Sequence, residues 1–417
     1  MMLNINKLLT IVAFVMFAGT AYSQEVLSVE QVLNAIQENH PALKAYQARA
    51  KGQDARVQGA KAWMAPMIGA GTFMTPYPGT ELMPDADKGS FMMSVEQDIP
   101  NPSKTRTKGE YLAAQSDITK AERLVLYNEL RFQARELYYD LVVAYRKIRL
   151  QKENQQIMKN MKKLAEIRYP YNQGSLDQVF KAEGRTYESE NMILMTESEI
   201  RSKKIALNAL MNRPSDTAFE PDTALQLQFN LTTTSDSAYF ASSRSDIAQM
   251  DRSIRAMQLN IEQMRKEARP DFRIKFDHMK NYSGMMPAQF TAMAMISVPI
   301  APWSSGMYKS EVKSMNFEIE AMKQQRSSML TEMTGMTKAM ETELMTMQKQ
   351  LINYEKKILP ALSKSLNVAM LSYQENKLDL GAVIEAWEAK NMVQMNYLDQ
   401  LQKYYQMIAA YEKSIEK

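Results

Sequence analysis

Residues 104–169 contain no proline and a single glycine, Gly109, before Pro170 closes the run. At about 1.5 Å per residue, an uninterrupted helix of this length is a rod of roughly 100 Å. A compact domain has no use for such a rod, so an elongated molecule is expected. A second helical run is predicted over 304–376, with a kink at Pro360, where the ring removes a backbone donor and crowds the preceding turn. The expected fold class is mainly α with a small β part.

That β part lies between helices as two pairs of strand-like segments. From Phe272 to His278 apolar and charged residues alternate strictly, the signature of a strand with one apolar and one wet face. The partner segment, 290–298, sets Phe290, Ala292, Ala294, Ile296 and Val298 on one face and Thr291, Met293, Met295 and Ser297 on the other. The earlier pair, 67–75 and 90–97, alternates less cleanly, with Phe91, Met93 and Val95 opposite Ser90, Met92, Ser94 and Glu96. Segments of about nine to eleven residues match a tilted strand crossing a bilayer. Such a sheet must close, because an open edge leaves backbone groups unpaired in hydrocarbon. Four strands are too few for closure, since the smallest outer-membrane barrels have about eight, so the chain is expected to oligomerise.

These pieces recur along the chain. Residues 39–66 align with 243–270 at a constant offset of 204, Tyr169 aligns with Tyr373 and Asn172 with Asn376 at the same offset, and Pro102 falls near Pro302. Two fused copies of helix, strand, strand, long helix, turn and helix are the economical description. The expected repeats cover 24–214 and 243–417, joined by a linker over 215–242. Residues 1–23 carry one positive charge at Lys7, an apolar run over 8–19 and Ala21-Tyr22-Ser23, the pattern of a secretory signal peptide. The apolar run is shorter than the roughly 20 residues of a spanning helix. The mature protein is expected to leave the cytoplasm without a transmembrane helix.

Composition closes other classes. With no cysteine there is no disulfide, thiol nucleophile or iron–sulfur cluster, and only His40 and His278 offer imidazole. Basic and acidic residues number 51 and 47, a balance that argues against a nucleic-acid surface. Neither a nucleophile–base set nor a phosphate loop appears, so no enzyme and no cofactor is expected. A mean hydropathy of −0.40 suits helices with apolar seams and polar faces. A soluble periplasmic coiled-coil scaffold is the competing class, and it leaves the strand alternation and the repeat unused.

The run LSVEQVLNAIQENHP from Leu27 to Pro41 resembles the opening of the TolC family of outer-membrane efflux proteins, as does Ser245-Asp246-Ile247 at the second repeat. The run SVPIAPW from Ser297 to Trp303, followed by Gly306, is similar to that family's strand-to-helix junction, and YQENKLDLG from Tyr373 to Gly381 to its periplasmic turn. The resemblance covers essentially the whole mature chain. It implies a TolC-like fold, with long helical hairpins forming a periplasmic α-barrel and four strands per chain entering a trimeric twelve-stranded transmembrane β-barrel. It further implies an outer-membrane homotrimer among lipids, docked to a periplasmic adaptor and an inner-membrane pump, and acting as a passive exit duct. Met abundance and Ser103-Lys104-Thr105-Arg106 resemble the heavy-metal branch, which implies copper or silver export. Drug efflux and type I secretion are the alternatives within the family.

By the same resemblance the hairpin tips, with Gly174, Ser175, Leu176, Leu380 and Gly381, contact the adaptor and form the closed end of the tunnel. Glycine there permits tight reversal, though turn chemistry alone would look the same. Arg168, Asp177 and Asp379 lie near the tips, and symmetry would make each a ring, so they are gate candidates. The 35 methionines are a separate signal, because thioethers select Cu(I) and Ag(I). Met315, Met322, Met329, Met333, Met336, Met340 and Met347 fall within about 60° of one helix face, and Met250, Met257 and Met264 keep a heptad spacing. Those stripes read first as packing seams. Met92, Met293 and Met295, on the expected wet face of the barrel, are the candidate metal contacts. His40 and His278 are weak candidates for any ligand role.

Overall fold

The computed structural model describes residues 25–80, 88–171, 175–231, 236–284, 286–297, 299 and 302–417. The expected signal peptide, Gly174 and Val298 lie outside them. The first half runs β1 (Glu25–Leu27), α1 (Val29–Asn39), α2 (Pro41–Gly59), β2 (Met67–Phe73), β3 (Ser90–Ile99), α3 (Pro102–Arg168) and α4 (Leu176–Leu210). The second runs β4 (Phe219–Pro221), α5 (Ser237–Ser243), α6 (Ser245–Lys266), β5 (Phe272–Asn281), β6 (Gln289–Ile296), α7 (Pro302–Asn353), α8 (Leu359–Gln374) and α9 (Leu380–Ser414). Helices α4 and α9 are each 35 residues long.

Helix α3 is the axis, an unbroken 67 residues. It opens on Asn101, whose side chain accepts the Ser103 N–H at 3.0 Å, and on Pro102, which forfeits a donor the first turn could not use. The Asn101 amide also donates to the Pro270 carbonyl at 2.9 Å, and Lys104 reaches Asp271 at 2.7 Å. The start of the rod is thereby tied to the start of β5. Along its upper part α3 packs on α2 and α6, and along its lower part on α4 and α9.

The seven residues from Tyr138 to Ala144 are all buried, which marks a stretch of helix enclosed on every side. Short pieces from both halves wrap it. Strands β1 and β4, absent from the sequence-based expectation, pair in parallel there, and β4 and all but the last residue of α5 fall within the expected linker. The Tyr138 hydroxyl donates to the Leu27 carbonyl at 2.7 Å and accepts the Asp222 N–H at 2.9 Å, clamping both strand ends onto α3. Buried Asp140 is fully engaged, by Lys203 at 2.7 Å and by the amides of Gln402 and Gln406 at 2.9 and 2.8 Å. Helices α3, α4 and α9 thus meet at one carboxylate, and the partners offset the cost of burying its charge.

At Pro360 the structure departs from a simple kink. A π-helical turn, Tyr354–Ile358, precedes the proline and the helix continues as α8. Widening the turn accommodates a ring that clashes with an α-helical carbonyl and gives nothing to the ladder. The methionine stripe of α7 behaves as a seam. Met315 and Met322 interlock with Met250, Met257 and Met264 of α6, and Met329, Met333, Met340 and Met347 pack against the waist core, while Met336 stays half exposed.

Replacing Tyr138 by Phe keeps the packing but strips the buried Leu27 carbonyl and the partly buried Asp222 N–H of their shared partner. A loss of about 1–3 kcal/mol is expected in denaturant titration, read from the fluorescence transition, with no change in helix content.

Candidate functional site

The main sheet has the order β2-β3-β5-β6, all antiparallel. Its register sorts the residues onto two faces, with Thr72, Gln97, His278 and Lys280 as polar exceptions on the apolar face and Phe73 as an aromatic one on the charged face. Ser94 pairs with Asp277, Glu96 with Lys275 and Asp98 with Arg273, and on β6 Lys275 faces Met293 and Arg273 faces Met295. Arg273 bridges Glu96 and Asp98 at 2.7 and 2.6 Å, so this face carries a lattice of charge. The opposite face carries Ile68, Phe91, Val95, Ile274, Phe276, Phe290 and Ile296, with the Phe276 and Phe290 rings stacked at 5.7 Å. In β3 and β5 the side chains of Phe91, Val95, Ile274 and Phe276 are exposed while Ser94, Glu96, Lys275 and Asp277 are more shielded, the reverse of a sheet in water.

Met92, Met293 and Met295 all lie on the charged face, as the alternation predicts. The structure adds Met67 and Met279 to that face and puts Met93 on the other. Sequence reasoning missed Met279 because it stopped β5 at His278, whereas the ladder with β3 runs on to Asn281. His278 sits on the apolar face, and His40 fills the extended joint between α1 and α2 that a following proline favours.

Strands β2 and β6 each have one flank unpaired among the described residues. Ten-residue strands such as β3 and β5 reach about 33 Å, enough for a hydrocarbon core of about 30 Å. Exposed Trp63 lies at the helix-proximal end of the sheet, and exposed Tyr77 and Tyr282 lie past the distal ends of β2 and β5. Aromatic girdles at two levels are what a bilayer interface selects. No described helix is long and apolar enough to cross a membrane.

The helices repeat this incompleteness. In the lower layer α4 packs on α3, α3 on α9, and α9 on α7 and α8. Each outer helix bears exposed apolar residues: Phe180, Tyr187 and Leu194, spaced by seven, on α4, and Met345, Ile352, Val368 and Leu371 on α7 and α8. Heptad spacing on an open flank is half of a coiled-coil seam.

At the tips, a buried cluster joins Met158, Met161 and Ala165 of α3, Val179 and Ala182 of α4, Leu366 and Tyr373 of α8, and Leu380, Val383, Ile384 and Trp387 of α9. Leu380 is fully buried in it, so it is removed from the contact candidates, because the phase of α9 turns it inward. Gly381 is not the reversal either. It sits in the first turn of α9, and the left-handed position is Asn376, with φ of 57° and Lys377 N–H bonded to the Ser372 carbonyl at 2.8 Å. Asn substitutes for Gly at such helix ends because its short amide tolerates that conformation. Ser175 is the N-terminal flanking residue of α4, and Leu176 beside it is exposed.

The three gate candidates are not brought into one cluster. Arg168 donates to the Tyr373 and Gln374 carbonyls at 2.7 and 2.9 Å and lies over the Tyr373 ring at 4.5 Å, clasping the end of α8 to α3. Asp379 caps α9 by accepting the Ala382 N–H at 2.8 Å. Asp177 accepts the Ser175 hydroxyl and pairs with Lys181 at 3.4 Å, and the hydroxyl, then the lysine, hold its carboxyl below the ordinary value.

Above the tip Lys162 of α3 reaches Glu183 of α4 at 2.7 Å, with Glu166 and Tyr187 beside the pair. The hydrogen bond from Lys162 holds the Glu183 carboxyl below its ordinary value. The linked stability is complete above the unfolded carboxylate pKa of about 4.3 and is lost as pH falls through the lower folded value. Amide exchange across 160–171 and 175–185, corrected for intrinsic rate, is expected to be slow at pH 7 and to accelerate below about pH 4. Glu183→Gln should show the faster exchange already at pH 7.

No family model matches the chain, and no curated protein sequence matches it. Solved structures do match. The outer-membrane channel OprN is similar at 14% identity and a TM-score of 0.76, covering 93% of this chain and 89% of that one. CusC, described for conformational changes accompanying folding and transmembrane channel formation, is similar at 13% identity and 0.73, covering 93% and 91%. The outer membrane protein VceC of Vibrio cholerae is similar at 16% and 0.72, covering 93% and 95%. At these identities the likeness is one of architecture: the chain has the TolC-like fold, long helical hairpins below a four-stranded sheet that a single chain leaves open.

Proposed function

We propose that this chain is the outer-membrane channel component of a tripartite efflux system. The observation that carries the proposal is the sheet: an apolar outer face, a charged inner face and two open flanks, feeding directly into the helices. Three copies related by rotation set β6 of one beside β2 of the next and close a twelve-stranded barrel. The same rotation sets the α4 stripe of Phe180, Tyr187 and Leu194 beside the α7–α8 stripe of the neighbour, so the helices continue as a periplasmic tunnel. Such a ring is heterologous and closed, and it leaves no edge in lipid.

The duct is passive in this proposal, and an inner-membrane pump supplies the energy. A periplasmic adaptor meets the tips at Ser175 and Leu176, with Gly174 and Gly381 as the further candidates. Arg168, Asp177 and Asp379, repeated by the rotation, border the closed end, and release of the Arg168 clasp on α8 is the local change that frees it. Duplication of a unit over 24–214 and 243–417, with 215–242 as linker, and a cleaved signal over 1–23 belong to the same reading. The cargo is copper or silver ion, supported by thioethers on the wet face of a sheet in a chain without cysteine.

Outer-membrane fractions are expected to hold a detergent-extracted trimer that dissociates to monomer on heating. Recovery as a monomer without detergent overturns the channel proposal. Leu194→Glu, on an exposed position of the single chain, is expected to lower the dissociation temperature while circular dichroism stays unchanged. For the cargo, deletion of the gene should lower survival under copper and silver. Sensitivity to detergents with unchanged metal tolerance sinks the metal assignment and leaves the channel intact.

A further inference from the structure

Every large aliphatic side chain on the charged face of the sheet is a methionine: Met67, Met92, Met279, Met293 and Met295. The apolar face is built differently, with Ile68, Ile99, Ile274, Ile296 and Val95 against one methionine, Met93. Strands favour β-branched residues, and among the aliphatic side chains larger than alanine on the apolar face of this sheet they outnumber methionine five to one. Apolarity alone therefore does not account for methionine on the wet face. The property that separates Met from Ile there is the sulfur.

Of the five, two are direct neighbours. Met92 of β3 and Met279 of β5 are cross-strand partners, which puts their Cβ atoms about 4.5–5.5 Å apart on one side of the sheet. On the far side of Met92 the partner is Gly71, and a Cβ placed on Gly71 meets nothing within 4 Å. Space beside the pair is thus open where a longer residue would fill it. The same-face residues next along the strands are Ser90, Ser94, Asp277 and Asn281. Asp277 is 5% exposed and ion-paired with Lys275 at 3.1 Å, and Gln289 is the partner of Met279 on its far side, so the two thioethers are the soft donors among these neighbours. A hard divalent cation prefers several carboxylate oxygens, and Asp277, already ion-paired, is the one carboxylate among these neighbours.

From this geometry we infer that Met92 and Met279 form a two-thioether site for a soft monovalent cation, Cu(I) or Ag(I), at the end of the sheet remote from the helices. β3 runs from this end toward Ile99 and the start of α3, so the pair stands near the distal mouth. Two neutral sulfurs hold such an ion without neutralising it, which suits a stepping point that must release its cargo. Three chains in a ring carry three such pairs at one level. The inference rests on the channel proposal in taking the charged face as the cargo path, but the pair itself lies within one chain.

The test is methionine footprinting of the full detergent-solubilised chain. Hydrogen peroxide oxidises accessible thioethers to sulfoxides, and mass spectrometry reads the rate at each methionine with and without stoichiometric silver nitrate. Silver is expected to slow oxidation of Met92 and Met279 several-fold while Met67, more open on the same face, is unchanged. Met92→Leu should remove the protection of Met279, and Met279→Leu that of Met92; both are volume-conserving changes. Protection of all exposed methionines alike, no protection, or protection of one partner that survives loss of the other overturns the pair. The trimer assay on the same samples reports on the channel separately: an intact trimer without reciprocal protection refutes the site alone, and reciprocal protection on a monomer refutes the channel alone.

Discussion

A β-sheet edge cannot lie bare in hydrocarbon, because each unpaired N–H or C=O there costs several kcal/mol. In the proposed channel that constraint organises the rest. The sheet presents apolar residues outward, and its two flanks, β2 and β6, are unpaired among the described residues. The helices below present apolar stripes on the outer flanks of α4 and of α7–α8. In the proposed trimer one rotation about one axis serves both sets, bringing β6 beside β2 and the α4 stripe beside the α7–α8 stripe of the next copy.

A tall, narrow chain has little interior, and its core is correspondingly placed. The waist around Tyr138 to Ala144 gathers β1, β4, α1 and α5 onto the middle of α3, and the tip cluster around Met161, Tyr373 and Trp387 closes the lower end. Between them run seams one or two residues wide. Asp140 at the waist and Arg168 at the tip each bind two or more helices through charged hydrogen bonds. These are the points where helices that otherwise touch only along seams are held in register.

Much of this is legible in the residues. The alternation from Phe272 to His278 is a strand by period alone, and its charged members predict which side is wet. The Pro-free run before Pro170 is a rod by length alone. Other features left no signal of that kind. The π-turn before Pro360 depends on α8 having to continue along α9, since a proline in isolation would end or bend a helix. Leu380 looks like a surface residue beside a turn, and only the rotational phase of α9 buries it. Arg168 is grouped with Asp177 and Asp379 at the tips by the sequence, yet its partners are carbonyls of α8, 205 and 206 positions away. Met279 was hidden behind a strand end that the pairing with Ser90 and Phe91 moved outward by three residues.

The sequence by itself determined the periods: two residues in the strands, heptads along the helices, and about 204 between the halves. Periodicity is a property of neighbouring residues and survives without a fold. The tertiary structure decided phase and neighbourhood, meaning which methionine stands opposite which and which stripe is left without a partner. Those depend on how far each element is rotated and slid against the next, which is set by packing between residues distant in the chain. The 35 methionines separate along that line. Those of α6 and α7 fill seams that their spacing already described, and Met92 and Met279 become a pair only because β3 lies in register against β5.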